Sequence, residues 1–133
     1  MRNLTKNLGM FVLAAAGIWA VGALAQPQTA SPFTDAQAVA GHDAFAQNCA
    51  TCHAANLAGS GEAPALAGPM FMGNWSGRTT QELFNQIKLS MPLGKPGSLD
   101  DQTYASIVAF LLKANGAAAG PAAFTGTTAV KIG

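Results

Sequence analysis

Between Asn56 and Gly77 the chain meets Gly59, Gly61, Pro64, Gly68, Pro69, Gly73 and Gly77. No strand and no long helix survives that density of breakers. A loop of roughly twenty residues is unusual inside a compact domain unless it wraps something. The whole chain has 133 residues, enough for one small domain and no second core to which such a loop could belong. The first expectation is therefore a small domain folded around a large ligand.

On either side of this stretch the apolar residues recur at helical spacing. Thr34-Asp35-Ala36-Gln37 reads as a capping box, with the threonine hydroxyl and the glutamine amide each satisfying a free backbone N–H. It predicts a helix from about Asp35 to Asn48 that presents Val39, Phe45 and several alanines, with Gly41 near its middle. A mid-helix glycine costs about 1 kcal/mol against alanine, so Gly41 marks a close approach by another part of the chain. A second helix is predicted from Thr79 to Ser90, with Leu83, Phe84, Ile87 and Lys88 at helical spacing and Met91-Pro92 as its stop. Leu93 to Gly97 follows as a turn-rich loop. Ser98-Leu99-Asp100-Asp101 then opens the last helix, acidic in its first turn as the macrodipole favours. Tyr104, Ile107, Val108, Leu111 and Leu112 form its apolar face, and Asn115-Gly116 ends it. The domain is expected over 35–116, with a flexible lead-in over 26–34 and a loose tail over 117–133.

Residues 1–25 are a separate matter. Arg2 and Lys6 precede an apolar run from Leu8 to Leu24 that closes in Ala23-Leu24-Ala25, the pattern of a secretory signal cleaved after Ala25. The alternative is an uncleaved anchor, since the run approaches spanning length, but its alanines and glycines make it a poor spanning helix. The expected location is the periplasm, with a mature chain not anchored in a membrane. Removing Arg2 and Lys6 takes the net charge from +1 to −1. The remaining cations are scattered singly, which excludes a nucleic-acid surface. Only 10% of residues are charged, against about 25% in an average soluble domain, so docking is expected through apolar surface more than long-range steering.

Beyond the signal only eight aromatic residues remain, and many apolar positions are alanine. Three helices joined by glycine-rich loops would then have a thin core. A bulky apolar cofactor at the centre would repair it.

The only two cysteines lie in one pentapeptide, Cys49-Ala50-Thr51-Cys52-His53. Thiols at this spacing, followed at once by histidine, form the c-type haem attachment pattern. The two sulfurs can add to the vinyl groups of one haem edge, and the turn between them directs His53 at the iron. Other readings are weaker. A redox dithiol lacks its βαβ context, and a structural zinc needs two more ligands where only His42 remains. A disulfide is chemically possible in an exported chain. The adjacent histidine, the signal and the thin core together favour one haem c, attached through Cys49 and Cys52.

No histidine follows His53, so a second axial ligand is sought among the thioethers of Met70, Met72 and Met91. Met91 stands at a helix end, before proline, in a loop able to cover the second haem face. Its bland alternative is core filling. His42 is on the helix leading into the attachment site and does not readily reach the opposite face. Met91 is the expected ligand, with Met70, Met72 or an open position as alternatives.

Taken together, these residues resemble a class I c-type cytochrome over nearly all of 36–116. The likeness is carried by Gly41, Phe45, Cys49-Ala50, Cys52-His53, Ala63-Pro64-Ala65-Leu66 and Trp75 with Arg78-Thr79. Glu82-Leu83-Phe84, Met91-Pro92, Pro96-Gly97-Ser98-Leu99, Tyr104, Ile107-Val108-Ala109-Phe110-Leu111 and Asn115-Gly116 extend it. The chain is similar in particular to cytochromes that accept electrons from quinoprotein alcohol and aldehyde dehydrogenases. The resemblance implies an all-α fold, a small cytochrome c fold of three to four helices around one covalently attached haem. It implies a crossing of the first and last helices near Gly41 and Phe45. It also implies that the Pro64 carbonyl accepts the other ring N–H of His53, orienting the imidazole and raising its basicity. Trp75 and Arg78 become candidates for hydrogen bonds to a haem propionate, against plainer roles as a core tryptophan and a solvated arginine.

With His53 and Met91 on both axial positions, the iron would change valence without binding substrate, at a potential raised by methionine. The expected function is electron transfer between redox partner proteins, a dehydrogenase as donor and an oxidase or reductase as acceptor, with no catalysis by the chain itself. Three alternatives stand beside it. They are a haem subunit of a dehydrogenase complex, a ligand-binding sensor or peroxidase with an open iron, and a thiol oxidoreductase without haem.

Overall fold

In the computed structural model, which describes residues 32–133, Thr34 starts helix α1 (Asp35–Asn48) by accepting a hydrogen bond from the Gln37 N–H at 3.1 Å. Only this half of the expected capping box forms. The Gln37 amide turns away and binds Phe124 on both sides, donating to its carbonyl at 2.8 Å and accepting from its N–H at 2.7 Å. The buried side of α1 is Ala38, Gly41 and Phe45. Val39, expected on that face, is 60% exposed, because one residue along a helix is roughly 100° off the stripe.

Helices α2 (Ala50–His53), α3 (Pro69–Trp75), α4 (Thr80–Ser90) and α5 (Asp101–Ala114) follow. The fold is all-α, and the described residues form five helices where three or four were expected. The additions are short. One turn, α2, covers the segment from Ala50 to His53. The other, α3, lies inside the punctuated stretch with Pro69 in its first turn, where the missing N–H of proline costs nothing. Among the described residues, pairing of β type is confined to isolated bridges, Ser60 with Ala63 and Thr79 with Lys131.

The main helix pair is α1 against α5, and Gly41 sets its closeness. A Cβ on Gly41 would stand 1.8 Å from the Ser106 carbonyl oxygen. Phe45, Tyr104, Ile107, Val108 and Leu111 are all buried around this crossing.

Residues 117–133 are not the loose tail that their composition suggested. Phe124 is 2% and Ile132 6% exposed. The Thr80 N–H donates to Val130 O at 2.8 Å, Ile132 N–H to Arg78 O at 2.9 Å and Gly77 N–H to Ile132 O at 2.8 Å. The physical reason is that the α3–α4 link and the start of α4 carry backbone groups that need partners. The tail supplies those partners and buries two large side chains as it does so. The lead-in is anchored at its end as well, since Phe33 is wholly buried and its carbonyl accepts from Gly120 N–H at 2.8 Å. Phe33, Phe124 and Ile132 thus thicken the core. The signal expected over 1–25 and the lead-in before Pro32 lie outside the described residues. Among the described residues no helix is long and apolar enough to cross a membrane.

Two helix starts carry a pH dependence. The Thr79 N–H and hydroxyl donate to the Glu82 carboxylate at 2.8 and 3.0 Å, and these bonds, helped by Arg78, hold its pKa below the usual value. The Thr103 hydroxyl and N–H do the same for Asp100, at 2.7 and 2.9 Å. Both groups bind a proton less readily folded than unfolded. Their contribution is therefore complete above the ordinary carboxylate pKa and is lost as pH falls through the lowered folded values. The urea midpoint is expected to decline below about pH 4. Glu82→Gln with Asp100→Asn should start lower at neutral pH and decline less steeply; a slope equal to that of the parent protein would contradict this.

Candidate functional site

Helix α1 delivers the chain to Cys49, whose N–H bonds Phe45 O at 2.8 Å, and α2 carries Cys52 and His53. Cys49 is half-buried and Cys52 is exposed, while His53 is 6% exposed. Just after His53, Ala54 takes φ 60° and ψ 148°, a backbone that costs a non-glycine residue about 1–3 kcal/mol. The chain then doubles back. Gly59, at φ 74°, donates its N–H to His53 O at 2.9 Å, and a Cβ there would stand 2.4 Å from Ala63 O.

This return places the Pro64 carbonyl on His53 Nδ1 at 2.9 Å. A carbonyl only accepts, so Nδ1 carries the proton and Nε2 is the nitrogen left for a metal. Asn115, read from sequence as a stop signal, secures the same loop from the end of α5. Its amide donates to Leu66 O and to Leu111 O at 2.9 and 2.8 Å, and it accepts from Gly68 N–H at 2.9 Å.

Met91 ends α4, with its N–H on Ile87 O at 2.8 Å. Its carbonyl accepts the Tyr104 hydroxyl at 2.7 Å. Met91, His53, Cys49 and Cys52 line one cavity of about 390 Å³, whose further walls include Phe45, Leu83, Ile87, Ile107 and Leu111. Met70 and Met72 are not among its lining residues, and Met70 is 57% exposed. His42 is also absent from the lining; it pairs with Asp43 at 3.1 Å at the surface.

Trp75, Arg78 and Pro64 line the same cavity. The Arg78 guanidinium lies 4.3 Å over the Trp75 ring, and its Nε is 3.4 Å from the Glu82 carboxylate. Cys49, Cys52, His53, Pro64, Trp75, Arg78 and Met91 therefore border a single space.

The donor set fits a haem better than a bare ion. Among the described residues no three His, Cys, Asp or Glu side chains cluster into a metal cage. One imidazole and one thioether would instead suit an iron whose other ligands a porphyrin supplies. The apolar walls suit a macrocycle, and the two thiols stand on the same lining as His53. Cys49 does not suit the role of an attacking thiol. Burial first, and Cys52 second, push the Cys49 thiol up to about 11, whereas attacking thiols need a lowered pKa.

The family described as "Cytochrome C oxidase, cbb3-type, subunit III" matches residues 36–111. The chain belongs to this family. It is a class I c-type cytochrome, and membership implies a covalently held haem c and electron transfer through it. The cytochrome is also similar to a solved structure, the sulfane dehydrogenase SoxCD from Paracoccus pantotrophus. That match has 28% identity and a TM-score of 0.57, and covers 67% of this chain and 48% of that one. The cytochrome thus spans about half the length of the SoxCD chain. No curated protein matches it.

Sequence reasoning placed Tyr104 on an apolar face and Asn115 at a helix end, and missed what their polar atoms do in the cytochrome. A tyrosine among aliphatic core residues was the available signal, since a buried hydroxyl needs a partner. Nothing local named that partner.

Proposed function

We propose that this cytochrome is a single-haem electron carrier of the periplasm, exported by a signal over 1–25. It takes electrons from a dehydrogenase-type donor, such as a quinoprotein dehydrogenase, and passes them to a terminal acceptor such as an oxidase. The supporting observation is that His53 and Met91 line the same apolar cavity as Cys49 and Cys52. Haem c in that cavity supplies a reversible one-electron couple at its iron. The chain's own residues do the rest. Cys49 and Cys52 anchor the group, and His53 offers Nε2 while Pro64 holds Nδ1 and raises the basicity of the ring. Met91 would offer its thioether to the iron, and Leu83, Ile87, Ile107 and Leu111 would exclude water. Trp75 and Arg78 hold a propionate. With His53 and Met91 both holding the iron, no open position would remain on it for a substrate, which supports a carrier and not an enzyme. Leu93, 84% exposed and on the cavity lining, offers a partner apolar contact.

The likeness to SoxCD favours a second reading, a haem subunit that works within a dehydrogenase complex. A donor enzyme that co-elutes at fixed stoichiometry from the native source supports the subunit; a cytochrome that elutes alone supports the carrier.

The test of ligation is the visible spectrum of the reduced protein before and after carbon monoxide. A low-spin haem c spectrum that ignores the gas is expected. A shifted spectrum would mean an open iron and redirect attention to sensing or peroxide chemistry. No haem bands, from cells competent to attach the group, would overturn the proposal.

A further inference from the structure

We infer that Tyr104 is the positioning residue of the Met91 arm: its hydroxyl ties together the two ends of the loop that begins at Met91, and so sets how readily the thioether leaves the iron. The inference rests on the axial-pair reading above. Tyr104 lies in the first turn of α5 and is 0% exposed. Its hydroxyl donates to Met91 O at 2.7 Å and accepts a longer bond from Leu99 N–H at 3.5 Å. Between those two residues the backbone hydrogen bonds are local turns, Lys95 N–H to Pro92 O at 2.9 Å and Ser98 N–H to Lys95 O at 3.3 Å. Leu93 at the loop's tip is 84% exposed, so packing holds that part weakly.

The ring and the hydroxyl of Tyr104 do separable work. The ring fills the core edge-on to Phe84, with centroids 6.4 Å apart, a place phenylalanine would fill equally. The hydroxyl is costly to bury unless bonded, and both of its bonds go to this loop. Through it the Met91 backbone is joined to α5, which crosses α1 at Gly41, and α1 leads directly to Cys49. The Met91 N–H is already held by Ile87, which leaves the carbonyl side as the place where the arm can work loose. Without the hydroxyl, a half-buried carbonyl loses its donor and the loop opens more often. An added ligand must wait for that opening, and its apparent affinity rises in proportion to the open fraction.

The experiment is an imidazole titration of the ferric holoprotein, read from its visible spectrum, in wild type, Tyr104→Phe, Phe33→Leu and Met91→Ala. Tyr104→Phe should bind imidazole about fivefold to tenfold more tightly than wild type, the scale of one lost hydrogen bond. Phe33→Leu weakens the core away from both the loop and the cavity lining, and should leave the affinity unchanged. An unchanged affinity in Tyr104→Phe overturns the inference, as does an equal rise in Phe33→Leu. If Met91→Ala binds imidazole no more tightly than wild type, Met91 is not the ligand and the axial-pair reading falls along with the inference.

Discussion

Gly41→Ala is expected to destabilise the protein by about 3 kcal/mol, at or beyond the upper end of what overpacking costs. Helix propensity alone argues the opposite sign, since alanine in a helix interior gains about 1 kcal/mol over glycine. Contact geometry decides between them. The new Cβ would stand 1.8 Å from Ser106 O, 2.4 Å from Ser106 C and 3.0 Å from Phe110 Cβ. A carbon needs about 3.3 Å from a carbonyl oxygen, so the helices must part by more than ~1 Å. Two of the three neighbours are backbone and cannot turn aside. Nor can α5 shift freely, because Tyr104 ties one of its ends to Met91 and Asn115 ties the other to Leu66. For a domain of this size the loss corresponds to a fall in Tm on the order of 10–20 °C. Thermal unfolding of the holoprotein, followed by far-UV circular dichroism, measures it. A rise in Tm would show that α1 and α5 do not cross at Gly41.

The second large effect is expected at Met91. Met91→Ala removes the thioether and leaves the backbone bonds to Ile87 and Tyr104 in place, so the arm stays and its ligand goes. The ferrous protein should then bind carbon monoxide. The midpoint potential should fall on the order of 0.1 V or more, within the ~0.8 V that axial ligation commands, because methionine is the ligand that raises it. Met91→His separates the two consequences. A second imidazole fills the position and restores indifference to the gas, yet the potential stays low. Spectroelectrochemical titration of the three proteins reads both quantities. An unchanged potential in Met91→Ala would remove Met91 from the coordination sphere.

How much of this was legible beforehand follows from the range of each interaction. The N-terminus of α1 is written in Thr34 and the N–H of Gln37, three residues away, and α5 starts where Asp100 accepts from Thr103 N–H, again three residues on. Such contacts lie within one helical turn, and composition reports them. Gly41 was legible for another reason, since a helix interior tolerates glycine only where something needs the space. The attachment motif reads well because its chemistry is packed into five consecutive residues.

What stayed hidden was the identity of distant partners. Gln37 carries the sequence signature of a capping box, and its amide is spent on Phe124, 87 positions away. The tail from 117 to 133 looks loose because small residues dominate it, and a hydrophobic count cannot show that the link before α4 wants its backbone partners. Val39 and Ala38 differ by one step in register, and only the packed helix pair determines which faces in.

Residue types and spacings were enough for the helical periods, the caps of α1 and α5, the wrapped character of the 56–77 segment and the thiol pair beside its histidine. Each of these rests on bonds or spacings within a few residues. The family resemblance supplied the pairing of Pro64 with His53 and the shared space of His53 and Met91, whereas only the folded chain revealed that Asn115 secures one side of the cavity and Tyr104 the other, and that the tail closes the core. Those contacts join segments tens of residues apart, and their energy depends on where the chain brings atoms together in space, which no local pattern of residue types encodes.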